Sequence, residues 1–212
     1  MNSVTTSIVI VAYGKKMLTD RLLRSIEKYT PENHEVIVID NASPDDTSEW
    51  VISQFPLVRL IKSPVNLGYG RGANLGVQYS RGKQVVIMNS DIIVTENWLS
   101  PLLEALRNTS VVIASPVYLD TELTLTEAGN EVTTDGHVHV HMVESGTVRR
   151  VDHISAACWV INKDWFDRIG GFDPAYGLGY YEDVDLATLA AAQNRSVVAV
   201  PQSRVIHESG GS

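Results

Sequence analysis

The segment Gly179-Tyr180-Tyr181-Glu182-Asp183-Val184-Asp185-Leu186 places three carboxylates within four positions. It follows a loop rich in glycine and aromatic residues, and the pattern from Leu186 to Arg195 predicts a helix directly after it. Acids at the start of a helix interact favourably with its dipole, so they can act simply as caps. A carboxylate that can reach a substrate proton can instead act as a general base. The two interpretations, cap or catalyst, predict different surroundings for the three side chains.

The rotation of side chains around this helix favours a site for at least one of the acids. On a helix that begins at Glu182, successive side chains turn by about 100°, and the inward stripe consists of Leu186, Leu189 and Ala190. Glu182 then lies over the middle of this stripe, Asp183 near one flank and Asp185 on the opposite flank. At least one carboxylate points toward the interior or a cleft, where burial would raise its pKa toward working pH. Periodicity does not choose between Glu182 and Asp183.

Polar residues also follow several predicted strands, namely Tyr13, Asp40-Asn41 and Asn89-Ser90-Asp91. Asp91 is placed to hold Mg²⁺ or Mn²⁺ against a diphosphate, since these ions prefer oxygen ligands and need few carboxylates from the protein. Asp40 is placed to accept hydrogen bonds from the imide of a nucleobase. Turn formation remains an alternative for both acids, because Asn, Ser and Asp favour strand exits and helix caps.

The segment Asn66-Leu67-Gly68-Tyr69-Gly70-Arg71-Gly72-Ala73-Asn74 predicts a phosphate contact. Free amides at a glycine-led helix start suit phosphate, and Arg71 could pair with it. It is neither the dinucleotide fingerprint nor a P-loop, because no Gly-x-Gly-x-x-Gly follows the first strand and no Gly-Lys-Ser/Thr occurs.

Strands and helices alternate along the first half of the chain. The patterns predict strands at 7–12, 35–39, 58–61, 84–88 and 111–114, and helices at 17–29, 45–55, 70–80 and 98–107, with Ser43 as N-cap of the second helix. This alternation predicts an α/β fold with a doubly wound parallel sheet. The carboxyl ends of its strands meet at one edge, where ligands bind.

The second half has a different character. Residues 120–151 carry turn signals and alternation, which predict a small antiparallel hairpin insertion. His137, His139 and His141 alternate there; we favour a solvated strand face over a metal site, because no cysteine or acid repeats with them. A strand at 154–161, a helix at 163–168 and an extended segment at 196–206 follow. No linker is evident, so we expect one domain over 1–212, and the abrupt end suggests a domain cut from a longer protein.

Composition limits the classes of function. A net charge of −8 argues against nucleic acid as a partner, but not against a nucleotide whose phosphates a metal ion offsets. The single cysteine, Cys158, lies in an apolar run typical of a core and suits a reducing compartment. No targeting segment and no run long enough to span a membrane is apparent.

Taken together, these motifs resemble the family 2 glycosyltransferases of the GT-A fold. The resemblance covers nearly the whole chain, and its order and spacing are specific. It rests on 8–13, 38–43, Asn66-Leu67-Gly68-Tyr69-Gly70 with Asn74, Asn89-Ser90-Asp91, Gly170-Gly171-Phe172-Asp173, 181–186 and His207. The combination of Asn-Ser-Asp with Glu-Asp-Val-Asp-Leu looks most like bacterial rhamnosyltransferase-type enzymes of surface-polysaccharide assembly. The resemblance implies a Rossmann-like three-layer sandwich with a mixed, mainly parallel sheet.

The resemblance also implies roles for individual residues. Asp183 would be the general base for an inverting transfer from a nucleotide-diphosphate sugar, with Glu182, Asp185 and Trp159 in support of the acceptor side. Asp91 and His207 would hold Mg²⁺ or Mn²⁺. The donor would contact Tyr13, Asp40, Asn41, Asn66, Arg71, Asn89 and Ser90. Asn89 departs from the family's metal motif, which often has a first acid at this position. Trp159, taken alone, is typical of a core residue.

The implied acceptor is a glycan or a lipid-linked molecule, and the implied location is cytoplasmic, at the inner face of the membrane, with peripheral membrane contact. Two other functions remain open. One is a catalytically silent nucleotide-sugar-binding domain of a larger assembly. The other, a sugar-nucleotide nucleotidyltransferase, is disfavoured because no glycine-rich signature with a following basic residue comes directly after the first strand.

Overall fold

A mixed β-sheet forms the centre of the molecule. The computed structural model describes residues 5–133, 135, 138–141 and 146–208. The first strand, β1 (Thr6–Ala12), is buried along its whole length. Both faces of β1 are therefore covered, as its continuous run of β-branched residues predicts.

The elements that the structure describes follow the predicted order closely. The further strands are β2 (His34–Asp40), β3 (Arg59–Lys62), β4 (Gln84–Asn89), β5 (Ile92–Val94), β6 (Val111–Leu119), β7 (Leu125–Glu127), β8 (Asn130–Val132), β9 (Val138–Val140), β10 (Arg149–Val151), β11 (Cys158–Asn162) and β12 (Ser196–His207). The helices are α1 (Lys16–Tyr29), α2 (Thr47–Gln54), α3 (Tyr69–Tyr79), α4 (Leu99–Ala105), α5 (Lys163–Ile169) and α6 (Glu182–Ala192). The short strand β5 was not predicted.

The main sheet has the strand order β10-β12-β6-β11-β4-β1-β2-β3. Strands β4, β1, β2 and β3 are parallel to their neighbours in this group, and β12 is parallel to β6. Strand β11 is antiparallel to both β4 and β6 and so joins the two parallel groups. The prediction of a mixed, mainly parallel sheet is confirmed.

The register of the strands brings the predicted polar residues to one edge. Ala12 at the end of β1 pairs with Asp40 at the end of β2, and Val11 pairs with Asn89 at the end of β4. At the far end of the chain, β12 pairs antiparallel with β5, so that His207 faces Ile92. This pairing carries His207 to the side of Asp91, the residue just before β5.

The predicted strand over 154–161 begins only at Cys158. Residues 154–157 form a turn instead, because their backbone groups bond outside the ladder. The N–H of Ser155 donates to Glu127 Oε1 at 2.9 Å, and the carbonyl of Ala157 accepts from the N–H of Asn89 at 2.9 Å. The correction matters for function, since this turn lines the cleft described below.

The prediction that Ser43 caps α2 is wrong, because α2 begins only at Thr47. Ser43 instead joins the strand ends: its Oγ accepts from the N–H of Gly14 at 2.8 Å. Its own N–H donates to Asp40 Oδ1 at 2.8 Å.

The hairpin insertion is confirmed. Strand β8 pairs antiparallel with β9, and β7 adds to the edge of β6. His139 is exposed on β9, and His141 Nε2 lies 3.2 Å from Glu131 Oε1, whereas His137 lies outside the described residues. Among the residues that the structure describes, no group of three or more His, Cys, Asp or Glu side chains is arranged to hold a metal.

The single cysteine, Cys158, belongs to the core. It is fully buried, and this burial raises the pKa of its thiol well above the usual value.

Within the described part of the chain, none of the helices has both the length and the apolar character needed to cross a membrane.

Candidate active site

A cleft of about 450 Å³ opens at the edge where β1, β2 and β4 end. One side is formed by residues that follow these strands, including Asn41, Asn89 and Ser90. The other side is formed by residues 178–183, which run into the start of α6, and by the turn at 155–157. The predicted strand-end residues and the acidic segment therefore face one another across a single cavity.

Two asparagines hold the glycine-rich loop against the strand ends. Asn41 Nδ2 donates to Asn66 Oδ1 at 3.0 Å and to the carbonyl of Gly68 at 3.2 Å. Asn41 Oδ1 accepts from the N–H of Leu67 at 2.8 Å. Both asparagines line the cleft. These hydrogen bonds fix the loop that leads into α3.

Gly68 allows this loop to contact the loop on the opposite side. Its φ is +81°, and a Cβ added to it would lie 2.2 Å from the carbonyl oxygen of Gly177. The N–H of the next residue, Tyr69, donates to the carbonyl of Leu178 at 3.0 Å. A residue with a side chain cannot occupy this position without separating the two loops.

Asp91 is buried beside His207 without a conventional partner. Asp91 is 2% exposed, and His207 Nε2 lies 3.3 Å from its Oδ1. That approach lacks hydrogen-bond geometry, and neither carboxylate oxygen of Asp91 has a hydrogen-bond partner among the described residues. Leaving a buried carboxylate unpaired is costly, so a cation is the ligand that this arrangement suits. Carboxylate oxygen is a ligand that Mg²⁺ and Mn²⁺ prefer.

The three acids of α6 have three different environments. Asp183 is half-buried; its Oδ1 accepts from the N–H of Val184 at 2.8 Å and its Oδ2 from that of Ala156 at 3.4 Å. Glu182 is 7% exposed, and its Oε2 has no hydrogen-bond partner among the described residues. Burial, followed by the charge of Asp183, raises the pKa of Glu182. Asp185 is half-buried near Tyr176, whose pKa its charge helps to raise, and it does not line the cleft.

Tyr69 connects the glycine-rich loop to the turn at 155–157. Its hydroxyl donates to the carbonyl of Ala156, and burial together with nearby acids raises its pKa well above the usual value. The neutral phenol is therefore held as a hydrogen-bond donor. It positions the turn whose Ala156 N–H contacts Asp183.

Six predicted site residues lie outside the described lining of the cleft, namely Tyr13, Asp40, Arg71, Asp91, Trp159 and Asp185. Tyr13 and Arg71 are exposed near the ends of β1 and the start of α3. Asp40 is buried, and its two carboxylate oxygens accept hydrogen bonds from the N–H of Ser43 and the hydroxyl of Ser48. This is the turn role that the sequence left open for Asp40.

Trp159 is fully buried in the core. Its indole N–H donates to the carbonyl of Ile154 at 3.1 Å, and its ring stacks on Phe172 with centroids 6.2 Å apart. The core interpretation of this residue fits its position. Any contribution that Trp159 makes to the acceptor side passes through packing and not through direct contact.

Sequence reasoning missed the turn at 155–157 and Glu127. The signal for the turn was the small-residue run Ser155-Ala156-Ala157, which interrupts an otherwise bulky strand pattern. Glu127 had no signal, because it stands alone in a segment of turns and joins the site only through tertiary contacts.

The comparison with protein families identifies the class. Residues 7–170 match the family described as Glycosyl transferase family 2. This match covers most of the chain, so the protein belongs to glycosyl transferase family 2 and is a glycosyltransferase of the class that uses nucleotide sugars.

Individual relatives are similar over most of this chain. An N-acetylglucosaminyl-diphospho-decaprenol L-rhamnosyltransferase of Mycobacterium tuberculosis is 25% identical over 97% of this chain and 76% of its own length. A low-salt glycan biosynthesis hexosyltransferase, Agl10, of Haloferax volcanii is 24% identical over 90% of this chain and 63% of its own. The human polypeptide N-acetylgalactosaminyltransferase 14 is 27% identical over 95% of this chain, which spans only 40% of that relative.

Solved structures confirm the GT-A fold and its three layers. GalNAc-T7 with UDP, GalNAc and Mn²⁺ matches with a TM-score of 0.83 and 18% identity, over 98% of this chain and 44% of that one. The mannosyltransferase PcManGT of Pyrobaculum calidifontis, in complex with GDP-Man and Mn²⁺, matches with a TM-score of 0.72 and 17% identity. The second match covers 95% of this chain and 56% of that one.

Proposed function

We propose that this chain binds a nucleotide-diphosphate sugar in the cleft and transfers the sugar, with inversion, to a hydroxyl group of a glycan or lipid-linked acceptor. The mycobacterial relative, a rhamnosyltransferase named for an N-acetylglucosaminyl-diphospho-decaprenol, supports a place in bacterial polysaccharide or glycoconjugate assembly. It also supports a cytoplasmic location at the inner face of the membrane. We further propose that residues 1–212 form a single glycosyltransferase domain.

The observation that carries the metal-dependent part of this proposal is the charge of the cleft. Its described lining contains Glu182 and Asp183 but no lysine or arginine. A diphosphate entering this cleft would meet carboxylates without a protein cation to offset its charge. A divalent ion resolves this conflict, and the buried, unpaired Asp91 with His207 beside it is the pair that would hold the ion. When bound, Mg²⁺ or Mn²⁺ would stabilise the charge that develops on the leaving diphosphate.

The position of Asp183 supports its role as the general base. It lines the main cleft and also a second cavity that adjoins it, whereas Glu182 lines only the main cleft. A general base has to lie within hydrogen-bond reach of the acceptor hydroxyl whose proton it removes. That hydroxyl must also lie next to the donor sugar that it attacks. Hydrogen bonds from the N–H groups of Val184 and Ala156 fix the orientation of the Asp183 side chain. Glu182 and Asp185 support the start of the helix around it.

The remaining donor contacts follow from the strand ends. Asn41, Asn66, Asn89 and Ser90 line the cleft where the nucleotide would lie. Tyr13, Asp40 and Arg71 lie outside the described lining of the cleft, and we propose that they contact the nucleoside part of the donor once it is bound.

Thermal unfolding with a panel of UDP-, GDP- and dTDP-sugars, with and without Mn²⁺ or Mg²⁺, tests this proposal. A ligand that binds only the folded state stabilises it by about 2.7 kcal/mol at one hundred times its Kd, which is a shift of several degrees in Tm. We expect one nucleotide sugar to raise Tm when the metal is present. Asp91→Asn should lose the metal-dependent part of the shift, because it removes the charge that holds the ion.

Product analysis on the same samples completes the test. We expect hydrolysis of the donor, or transfer to an added glycoside, only in the presence of the metal. The proposal is wrong if no nucleotide sugar in the panel shifts Tm and none is consumed. Binding without any hydrolysis or transfer would instead favour the silent nucleotide-sugar-binding domain.

A further inference from the structure

A second cavity of about 380 Å³ adjoins the cleft. The two cavities share Ser155, Asp183 and His207. The second cavity extends away from the strand ends toward the hairpin insertion, since its lining includes Glu127 of β7, Asn130 of β8 and Val140 of β9. Asp183 therefore stands at the junction between a space for the donor and a further space.

Glu127 is held rigidly at the wall of this second cavity. Its Oε1 accepts from the N–H of Ser155 at 2.9 Å and from Asn130 Nδ2 at 2.7 Å. These two hydrogen bonds occupy one carboxylate oxygen and leave Oε2 available to a ligand. Glu127 is half-buried, and this burial raises its pKa.

Asn130 and His153 carry unused hydrogen-bonding capacity beside Glu127. They are 5% and 8% exposed, and both line the cavity. Asn130 Oδ1 and His153 Nδ1 are buried without a hydrogen-bond partner among the described residues. The orientation of the Asn130 amide is fixed, because its Nδ2 donates to Glu127 Oε1. Unpaired buried polar atoms are uncommon in folded proteins, so each calls for an explanation such as a bound partner.

We propose that the second cavity is the subsite for the acceptor, and that it binds an uncharged sugar unit through hydroxyl or N-acyl groups. This inference rests on the proposed transfer function. Glu127 and Asn130 Oδ1 accept hydrogen bonds, and a ring nitrogen of His153 can donate or accept, so a hydroxyl-bearing ring satisfies all three. The attacking hydroxyl then lies beside Asp183, at the junction with the donor cleft.

The charge of the cavity selects against anionic ligands. Glu127 and Asp183 both line it, and its described lining contains no lysine or arginine. A phosphate placed here would meet two carboxylates in a partly desolvated space, which is unfavourable. If the natural acceptor carries a phosphate or diphosphate, that group therefore lies outside this cavity.

Ligand-observed NMR titrations test the subsite with simple probes. The probes are the methyl glycosides of glucose, galactose and N-acetylglucosamine, and glucose 6-phosphate as the anionic counterpart. Wild type, Glu127→Gln and Glu131→Gln are compared, each with and without the nucleotide and Mn²⁺ that raise Tm. Glu127→Gln keeps one side-chain oxygen, which can still accept hydrogen bonds from the N–H of Ser155 and from Asn130 Nδ2, but it removes the negative charge. Glu131, on the same insertion and with a 66% exposed side chain, is the matched control.

We expect at least one methyl glycoside to bind wild type, and glucose 6-phosphate to bind more weakly than methyl glucoside. Glu127→Gln should weaken glycoside binding by about tenfold, the usual effect of losing a hydrogen bond to a charged group. Nucleotide binding should be unchanged in both variants. The inference is overturned if no glycoside binds, if the phosphate binds as well as methyl glucoside, or if Glu127→Gln behaves like Glu131→Gln. Failure of nucleotide binding in wild type would instead overturn the proposed function.

Discussion

The acidic side chains at the cleft differ mainly in how deeply they are buried and in which hydrogen bonds they accept. Asp91 is buried without a hydrogen-bond partner among the described residues, Glu182 is buried with one oxygen unpaired, and Asp183 is half-buried and held by two backbone N–H groups. These different environments fit the different roles that we propose for the three acids: binding a cation, supporting the helix start and removing a proton.

Glu182→Gln should make stability less dependent on pH. Because burial raises the folded-state pKa of Glu182 above its ordinary value of 4.5, the folded protein holds this proton more tightly than the unfolded chain. The free energy of unfolding therefore falls as pH rises from 4.5 through the folded-state pKa. Glu182→Gln has no carboxyl group to ionise at this position, so its free energy of unfolding does not fall in this way. The variant should therefore be more stable than wild type at pH 7 and about as stable as wild type below pH 4.5.

Urea denaturation of both proteins across this pH range measures the effect. Glu127, whose pKa is also raised by burial, is present in both proteins, so its contribution cancels in the difference. Asp185→Asn is the control, because it removes a carboxylate from the same first turn of α6 at a position that is not buried. A Glu182→Gln protein that is less stable than wild type at pH 7 would show that the ionised side chain has a partner in the folded state.

The sequence predicted the residue-level site only in part. Helical periodicity correctly placed Glu182 over the buried stripe, where its neighbours Leu186 and Ala190 are also buried. It could not rank Glu182 and Asp183, since the difference between them depends on a second cavity built by a distant insertion. Glu127 could not be predicted as a site residue for the same reason.

Among the elements, two loops define the mouth of the cleft. The loop after β3 and the loop before α6 meet where Gly68 lies against the carbonyl of Gly177. The aromatic residues Tyr180 and Tyr181 follow with positive φ angles of 75° and 70° and are exposed. The mutual contact of the two loops fixes where this exposed segment stands at the opening.

Gly68→Ala should destabilise the protein and weaken nucleotide binding. The added Cβ would lie 2.2 Å from the oxygen of Gly177, on a backbone with φ of +81°. Gly177→Ala is the matched control, because it shares a positive φ of +68° but its Cβ would meet no atom within 4 Å. We expect the control to cost about 1–3 kcal/mol from backbone strain alone, and Gly68→Ala to cost more. Denaturant unfolding and nucleotide titration of the two variants measure the difference, and equal costs would show that the loops can separate freely.

The strands were predicted better than the turns. Runs such as Ile8–Ala12 are apolar and β-branched throughout, so burial on both faces follows from local sequence. The turn at 155–157 depends on hydrogen bonds to Glu127 and Asn89, which local sequence does not encode. The same holds for the start of α2, where Asp40 and Gly14 engage Ser43 in place of a helix cap.

For the whole molecule, the order of the strands creates the site. The N-terminal strands bring Asn41, Asn89 and Ser90 to one edge, as the alternation of strands and helices predicted. The antiparallel pairing of β12 with β5 could not be predicted, yet it carries His207 to Asp91. The edge at which we propose that the donor binds is thus closed by the two halves of the chain together. The acidic balance of the chain, −8 overall, agrees with the proposal that a divalent ion offsets the charge of a diphosphate there.

We propose that Asp183 removes the proton from the acceptor, and the turnover of Asp183→Asn measures this role. Asp185→Asn serves as control, and the nucleotide-induced shift in Tm measures donor binding. We expect Asp183→Asn to lower kcat by about 10²–10⁴-fold, the usual contribution of a general base, while the Tm shift stays as in wild type. Asp185→Asn should keep most of its activity. If Asp183→Asn turns over as fast as wild type, Asp183 is not the general base.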